Sequence, residues 1–173
     1  VRRLILGGSD GNVAQFAAML PKSLQQIVVG TINADVTANA SEVGEKSLAL
    51  IREVAAARKA KLVDQLITTA AKGGPAALGL ANTLVSVDAR RARHLVLDDS
   101  FAAPAFRCDN CGYVSVEPTE NDTCPLCEAA LRVLPDAADS LVRWAIEQDI
   151  DVTFVSDSAA LQEAGAIGAL LRY

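Results

Sequence analysis

No uninterrupted apolar stretch in this sequence approaches the roughly 18 to 20 residues that cross a bilayer, and the N-terminus lacks a basic segment followed by an apolar core. These absences speak against a helical membrane span and an export signal, so the expectation is a soluble, cytoplasmic protein. Basic charge is also in short supply. Sixteen Lys and Arg face 21 Asp and Glu for a net charge of −5, and a bound four-thiolate zinc would add about −2 more. That balance argues against a nonspecific nucleic-acid binder, DNA included, although the local cluster Arg90, Arg91, Arg93 could still touch phosphate. There is one histidine, and no Ser/His/Asp, Cys/His or paired-carboxylate set emerges, so no catalytic residue is assigned. Internal repeats and low-complexity segments are absent as well.

What is present is an alternation of short apolar runs and amphipathic stretches across 173 residues, ample for real cores. Leu4 to Leu6 reads as a strand ending in Gly7-Gly8, and Asn12 with Gln15 three residues on resembles a capping box opening a helix through Met19. Pro21 ends that helix, Ile27 to Ile32 reads as a second buried strand, and Asn39 with Glu42 caps a long helical region. Within it Leu48, Ile51, Ala55, Leu62 and Leu66 share one face, with a break expected near Ala57 to Ala60. Gly73-Gly74-Pro75 places a domain border, because glycine suits a helix C-terminal cap and proline the first position of a new helix. The expected domains are therefore 1–73 and 74–173.

A helix from Pro75 to about Val87 then leads into the strand Leu95 to Leu97. After the cysteines, Asp136 to Gln148 is amphipathic, Val152 to Val155 is a strand, and a short helix and the strand Ile167 to Leu171 close the chain. The class is α/β, and this alternation implies an α/β/α sandwich with a mostly parallel or mixed sheet.

Four cysteines stand in two close pairs, C-D-N-C and C-P-L-C, separated by twelve residues. Each C-x-x-C brings two sulfurs within reach of one tetrahedral ion about 2.3 Å away. Gly112 and Pro125 suit tight knuckle turns, and Tyr113 to Val116 and Leu131 to Val133 have strand propensity, as a ribbon inserted over 105–134 requires. Cys108, Cys111, Cys124 and Cys127 are thus expected to hold a structural Zn2+, since four protein thiolates leave no position open for catalytic water. The alternatives for the same spacing are a redox dithiol or an iron site.

Other candidates have plainer explanations. His94 sits at a strand entrance with no nucleophile nearby, Asp98-Asp99 suits capping of the next turn, and Trp144 suits packing. The loop Gly7-Gly8-Ser9-Asp10-Gly11 lacks both the Lys-Ser/Thr ending and the G-x-G-x-x-G spacing of phosphate loops.

The order of these motifs resembles the C-terminal half of the class-one peptide chain release factor and Pelota family of eukaryotes and archaea. Val152 to Tyr173 ends in G-A-I-G-A-L-L-R-Y, similar to that family's closing G-G-I-x-A-x-L-R-Y, with Ala166 in place of the second glycine. Ala77 to Ser100 resembles the start of the family's third domain, and archaeal members carry a cysteine ribbon at the corresponding point. Leu4 to Lys72 looks like the last half of the middle domain, whose fold resembles ribonuclease H. The resemblance implies that residues 1–73 end a ribonuclease-H-like domain. Residues 74–173 would then form a sandwich like the ribosomal-protein fold that binds kink-turn RNA.

By the same resemblance, the chain would contact the ribosome and its rRNA, and dock an elongation-factor-like translational GTPase. The role would be termination, ribosome rescue or hibernation, and the composition is compatible with a bacterial member and the abrupt start with a fragment of a longer protein. Terminating members hydrolyse peptidyl-tRNA through a Gly-Gly-Gln loop, and none occurs in these 173 residues. Two other readings are therefore a terminator whose catalytic loop lies upstream, and a stand-alone kink-turn RNA-binding protein. Arg90, Arg91 and Arg93 would be the contacts to rRNA or to kink-turn RNA; the plainer alternative for them is a solvated face.

Overall fold

The computed structural model describes residues 3–119 and 122–173. Val1 and Arg2, ahead of the expected first strand, and Glu120 and Asn121, within the expected ribbon, lie outside the described residues. The chain divides into two compact units, Val1–Arg58 and Lys59–Tyr173.

In the first unit, β1 (Leu4–Gly8) and β2 (Val28–Asn33) pair in parallel. A parallel pair needs a crossover, and α1 (Asp10–Met19) and the single turn α2 (Lys22–Gln25) supply it. Leu6, Val13 and Ile32 are buried between them. The expected capping box at Asn12 is not formed. The helix starts one turn earlier, at Asp10 just after β1 ends at Gly8, with Ser9 at the cap and no side-chain bond there, so Asn12 falls inside the first helical turn. The cap at Asn39 is present: its Oδ1 accepts the Glu42 backbone N–H at 3.0 Å and opens α3 (Ala40–Ala71). No break interrupts α3 near Ala57 to Ala60, since alanine, lysine and arginine there are strong helix formers.

In the second unit, a mixed four-stranded sheet runs in the order β3 (Ala76–Leu78), β9 (Ile167–Leu171), β4 (Ala92–Asp98), β8 (Asp151–Val155). β9 is antiparallel to both neighbours and β4 is parallel to β8. Strand alternation sorts the helices onto two faces. Leu95 and Leu97 of β4 pack with Leu84 and Val87 of α4 (Leu80–Asp88) and Leu141 and Ala145 of α5 (Ala137–Glu147). Val96, between them in sequence, faces the other way, against Val63 and Leu66 of α3 and Leu161 of α6 (Ala159–Glu163). The result is the expected α/β/α sandwich.

Two expectations shift. Pro75 does not start a helix; it precedes the edge strand β3, whose Ala76 pairs with Leu170, and the helix starts only at Leu80 after Gly79. A proline is tolerated beside a sheet edge, where its missing N–H is not needed. The compact units also divide at Arg58/Lys59 inside α3, not at Gly73-Gly74, because Val63 and Leu66 belong to the sandwich core.

The remaining strands, β5 (Ala105–Cys108), β6 (Val114–Ser115) and β7 (Leu131–Leu134), form an antiparallel sheet in the order β6-β5-β7. Ala105 and Leu134, paired at one end of it, lie in the sandwich core, while Cys108 and Leu131, paired at the other, form a separate small cluster with Cys124.

Candidate metal centre

Each cysteine pair folds as the same turn. After β5, the Gly112 N–H donates to the Cys108 carbonyl at 3.0 Å and the Cys108 N–H to the Tyr113 carbonyl at 2.8 Å. Before β7, the Glu128 N–H donates to the Cys124 carbonyl at 2.8 Å and the Cys124 N–H to the Ala129 carbonyl at 2.8 Å. Both turns need a left-handed residue directly after the second cysteine. Gly112 has φ 78° without steric cost, whereas Glu128 is held at φ 60° against its backbone preference.

The two turns face one another and bring all four Sγ atoms within 4.8 Å. Cys108 and Cys127 are 3.4 Å apart, and Cys111 and Cys124 are 3.5 Å apart. A tetrahedron with metal–sulfur bonds of about 2.3 Å has edges of about 3.8 Å, so the spacing suits one ion held by four thiolates. All four cysteines are free thiols, with Cys108 and Cys124 buried. The sulfurs do not share charge evenly. The Asn110 side chain, the Ala129 backbone N–H and Cys108 together lower the Cys127 thiol to about 6. The Tyr113 backbone N–H favours the Cys111 thiolate, but burial and the facing sulfurs outweigh it and push that thiol up to about 12. A divalent cation would remove this conflict by taking all four as thiolates.

Several groups that tie the ribbon down are invisible to spacing rules. Arg132 on β7 makes a bidentate pair with Asp109 in the first turn, Nε to Oδ2 at 3.0 Å and Nη2 to Oδ1 at 3.1 Å. This guanidinium holds the Asp109 carboxyl below its ordinary range. Arg107 on β5 lies over the Trp144 ring of α5, 4.4 Å from its centroid, and 3.7 Å from Asp88 of α4. Asn110 could have been suspected as the variable residue beside a ligand; the pairings of Arg107 and Arg132 could not.

Among the other candidates, Arg90, Arg91 and Arg93 are all exposed where α4 passes into β4. His94 is half-buried, with Nε2 2.8 Å from Thr153 Oγ1, and burial lowers its pKa. Asp98 caps the turn after β4, accepting the Ser100 backbone N–H at 3.0 Å and its hydroxyl, and accepts Gln162 Nε2 at 3.2 Å. The Ser100 bonds hold its carboxyl low. None of these lies in the sulfur cluster. Among the described residues, no helix is long and apolar enough to cross a membrane.

No protein-family model matches the sequence, and no curated relative does. The fold does match solved structures. The C-terminal domain of peptide chain release factor from Methanosarcina mazei superposes with a TM-score of 0.52 at 23% identity, over 80% of this chain and 98% of that one. Archaeoglobus fulgidus Pelota gives 0.54 at 19% identity, over 99% of this chain and 49% of that one. S. cerevisiae Dom34, a translation termination-like factor involved in RNA quality control pathways and interacting with Hbs1, gives 0.60 at 9% identity, over 100% and 47%. The chain thus spans about half the length of the Pelota and Dom34 structures. The fold is the one to which the closing G-A-I-G-A-L-L-R-Y segment and the inserted ribbon pointed.

Proposed function

We propose that this chain is the C-terminal binding module of a ribosome-associated factor of the release-factor and Pelota kind, acting in termination, rescue or hibernation. The observation that carries this reading is the likeness of nearly the whole chain to Pelota and Dom34, together with a closing sequence that resembles the family's. The sandwich would dock the ribosome and an elongation-factor-like translational GTPase in the cytoplasm, and these 173 residues would do no chemistry of their own. Dom34 interacts with Hbs1, which motivates the GTPase expectation.

Within that module, Cys108, Cys111, Cys124 and Cys127 would hold zinc. The metal's contribution is structural: it fixes two turns that have little apolar burial of their own. Arg90, Arg91 and Arg93 would face rRNA. Cosedimentation of the full protein with ribosomes tests the reading, alongside peptidyl-tRNA hydrolysis and metal analysis on the same sample. Binding without hydrolysis is expected. Binding with hydrolysis would make the protein a terminator whose active loop lies outside this chain, and failure to bind ribosomes would overturn the proposal.

A further inference from the structure

The arginine cluster gains one further arginine, Arg172, and a tyrosine, Tyr173, from the tertiary structure. Where β4 begins and β9 ends, the Arg172 N–H donates to the Arg91 carbonyl at 2.9 Å, and Arg172 Nε donates to the Ala92 carbonyl at 3.2 Å. Arg91 in turn donates from Nη2 to the Tyr173 backbone oxygen at 3.3 Å, and its guanidinium lies 5.9 Å from the centroid of the Tyr173 ring. Tyr173 remains 74% exposed. Arg90 occupies the left-handed region at φ 57°, where sterics favour glycine. Among the described residues, none of Arg90, Arg91, Arg93 and Arg172 is in an ion pair. The carboxylate of Asp151 lines an adjoining hollow of about 310 Å³ with Arg93 and His94, so the positive surface is centred on Arg90, Arg91 and Arg172.

Four guanidinium groups at one edge of a chain of net charge −5 form a local exception to its overall field. Guanidinium groups match phosphate oxygens in bidentate geometry. An exposed aromatic ring braced by an arginine offers a face on which a base can stack, and every base has such a face. An acidic peptide would satisfy the charges and leave the ring unused. We propose that Arg90, Arg91, Arg93, Arg172 and Tyr173 bind a single-stranded stretch of RNA, the arginines on successive phosphates and one base on Tyr173. This deepens the ribosome-associated reading and rests on it for the source of the RNA.

The test is fluorescence anisotropy of the full protein with an oligoadenylate of about eight nucleotides, a length within the usual single-strand site sizes, and with an abasic oligomer of equal length. Arg90→Gly removes a charge while relieving the backbone, so a loss cannot be blamed on misfolding. It and Arg172→Gln should each weaken binding severalfold and flatten the log–log salt dependence by about 0.7. Tyr173→Ala should weaken oligoadenylate about tenfold and leave the abasic oligomer unchanged, while Tyr173→Phe should bind oligoadenylate like the parent. Absence of binding at low salt would overturn the proposal, as would indifference to the arginine variants, equal effects of Tyr173→Ala on both oligomers, or equally strong competition by polyglutamate. Ribosome cosedimentation without oligomer binding would sink this surface and leave the functional reading standing. Oligomer binding without cosedimentation would support the surface and sink that reading.

Discussion

In the four-stranded sheet, β4 alone places Leu95, Val96 and Leu97 between helices on both faces, each at most 1% exposed. In the ribbon, β5 and β7 place Cys108 and Leu131 against Cys124, and the side chains packed around them, Phe106 and Tyr113 among them, are only partly buried. Burying one leucine stabilises by about 1.5 to 3 kcal/mol, whereas ordering one residue of backbone costs about 1 to 2 kcal/mol. The sheet gathers enough such residues to offset its ordering. The far end of the ribbon does not, and four sulfurs stand where a core would be. Its near end behaves like the sheet, because Ala105 and Leu134 share the sandwich core. With zinc bound as proposed above, the boundary between apolar and metal-dependent stability would run across the ribbon strands themselves, between Ala105 and Cys108.

The sharpest break of this comparison is Cys108→Ser. It should abolish stoichiometric zinc binding and expose the turn amides of Gly112, Cys124 and Glu128 to rapid hydrogen exchange, while β4 and β9 keep their protection. Structural zinc is worth about 10 to 16 kcal/mol in isolated peptides, so the local effect is large. Loss of protection throughout the sheet would show that the two regions share one stability. Leu84→Ala is the converse experiment. It empties a site with no exposure in the sandwich core and should cost about 2 to 5 kcal/mol in chemical denaturation, with the zinc content of the folded protein unchanged.

A smaller pair of changes sharpens the account within the sheet. Gly165 has φ 98°, and a Cβ there would lie 3.0 Å from the Gly79 Cα, so Gly165→Ala should destabilise by about 1 to 3 kcal/mol. Its neighbour Ala166 sits at φ 62°, in a region that costs a residue with a Cβ about 1 to 2 kcal/mol. Ala166→Gly should therefore raise stability, by up to about 1 kcal/mol once the greater freedom of glycine in the unfolded chain is subtracted. Thermal denaturation of both variants checks the opposite signs, and a loss of stability in Ala166→Gly would contradict the backbone argument.

Much of the sandwich was legible in the residues because its signals are local. Strand alternation around Leu95 to Leu97, the Asn39 cap and the amphipathic run after Asp136 each depend on near neighbours. The misreadings have a common cause. Pro75 is equally at home beside a strand and in a first helical turn, and only pairing with β9 decides between them. The first unit's capping box failed because Asn12 already lies inside a helix that starts at Asp10, directly after the strand and its Ser9 cap.

By itself the sequence determined the α/β class, the order of most elements and the two C-x-x-C pairs, since periodicity and ligand spacing are properties of a few consecutive residues. Only the tertiary structure decided that both cysteine pairs meet within 4.8 Å, that the sandwich takes its outer layer from α3, and that Tyr173 joins Arg91 across 82 positions of chain, with Arg172 beside it. Those facts depend on strand order and register, and chain folding sets both through contacts between residues far apart in sequence.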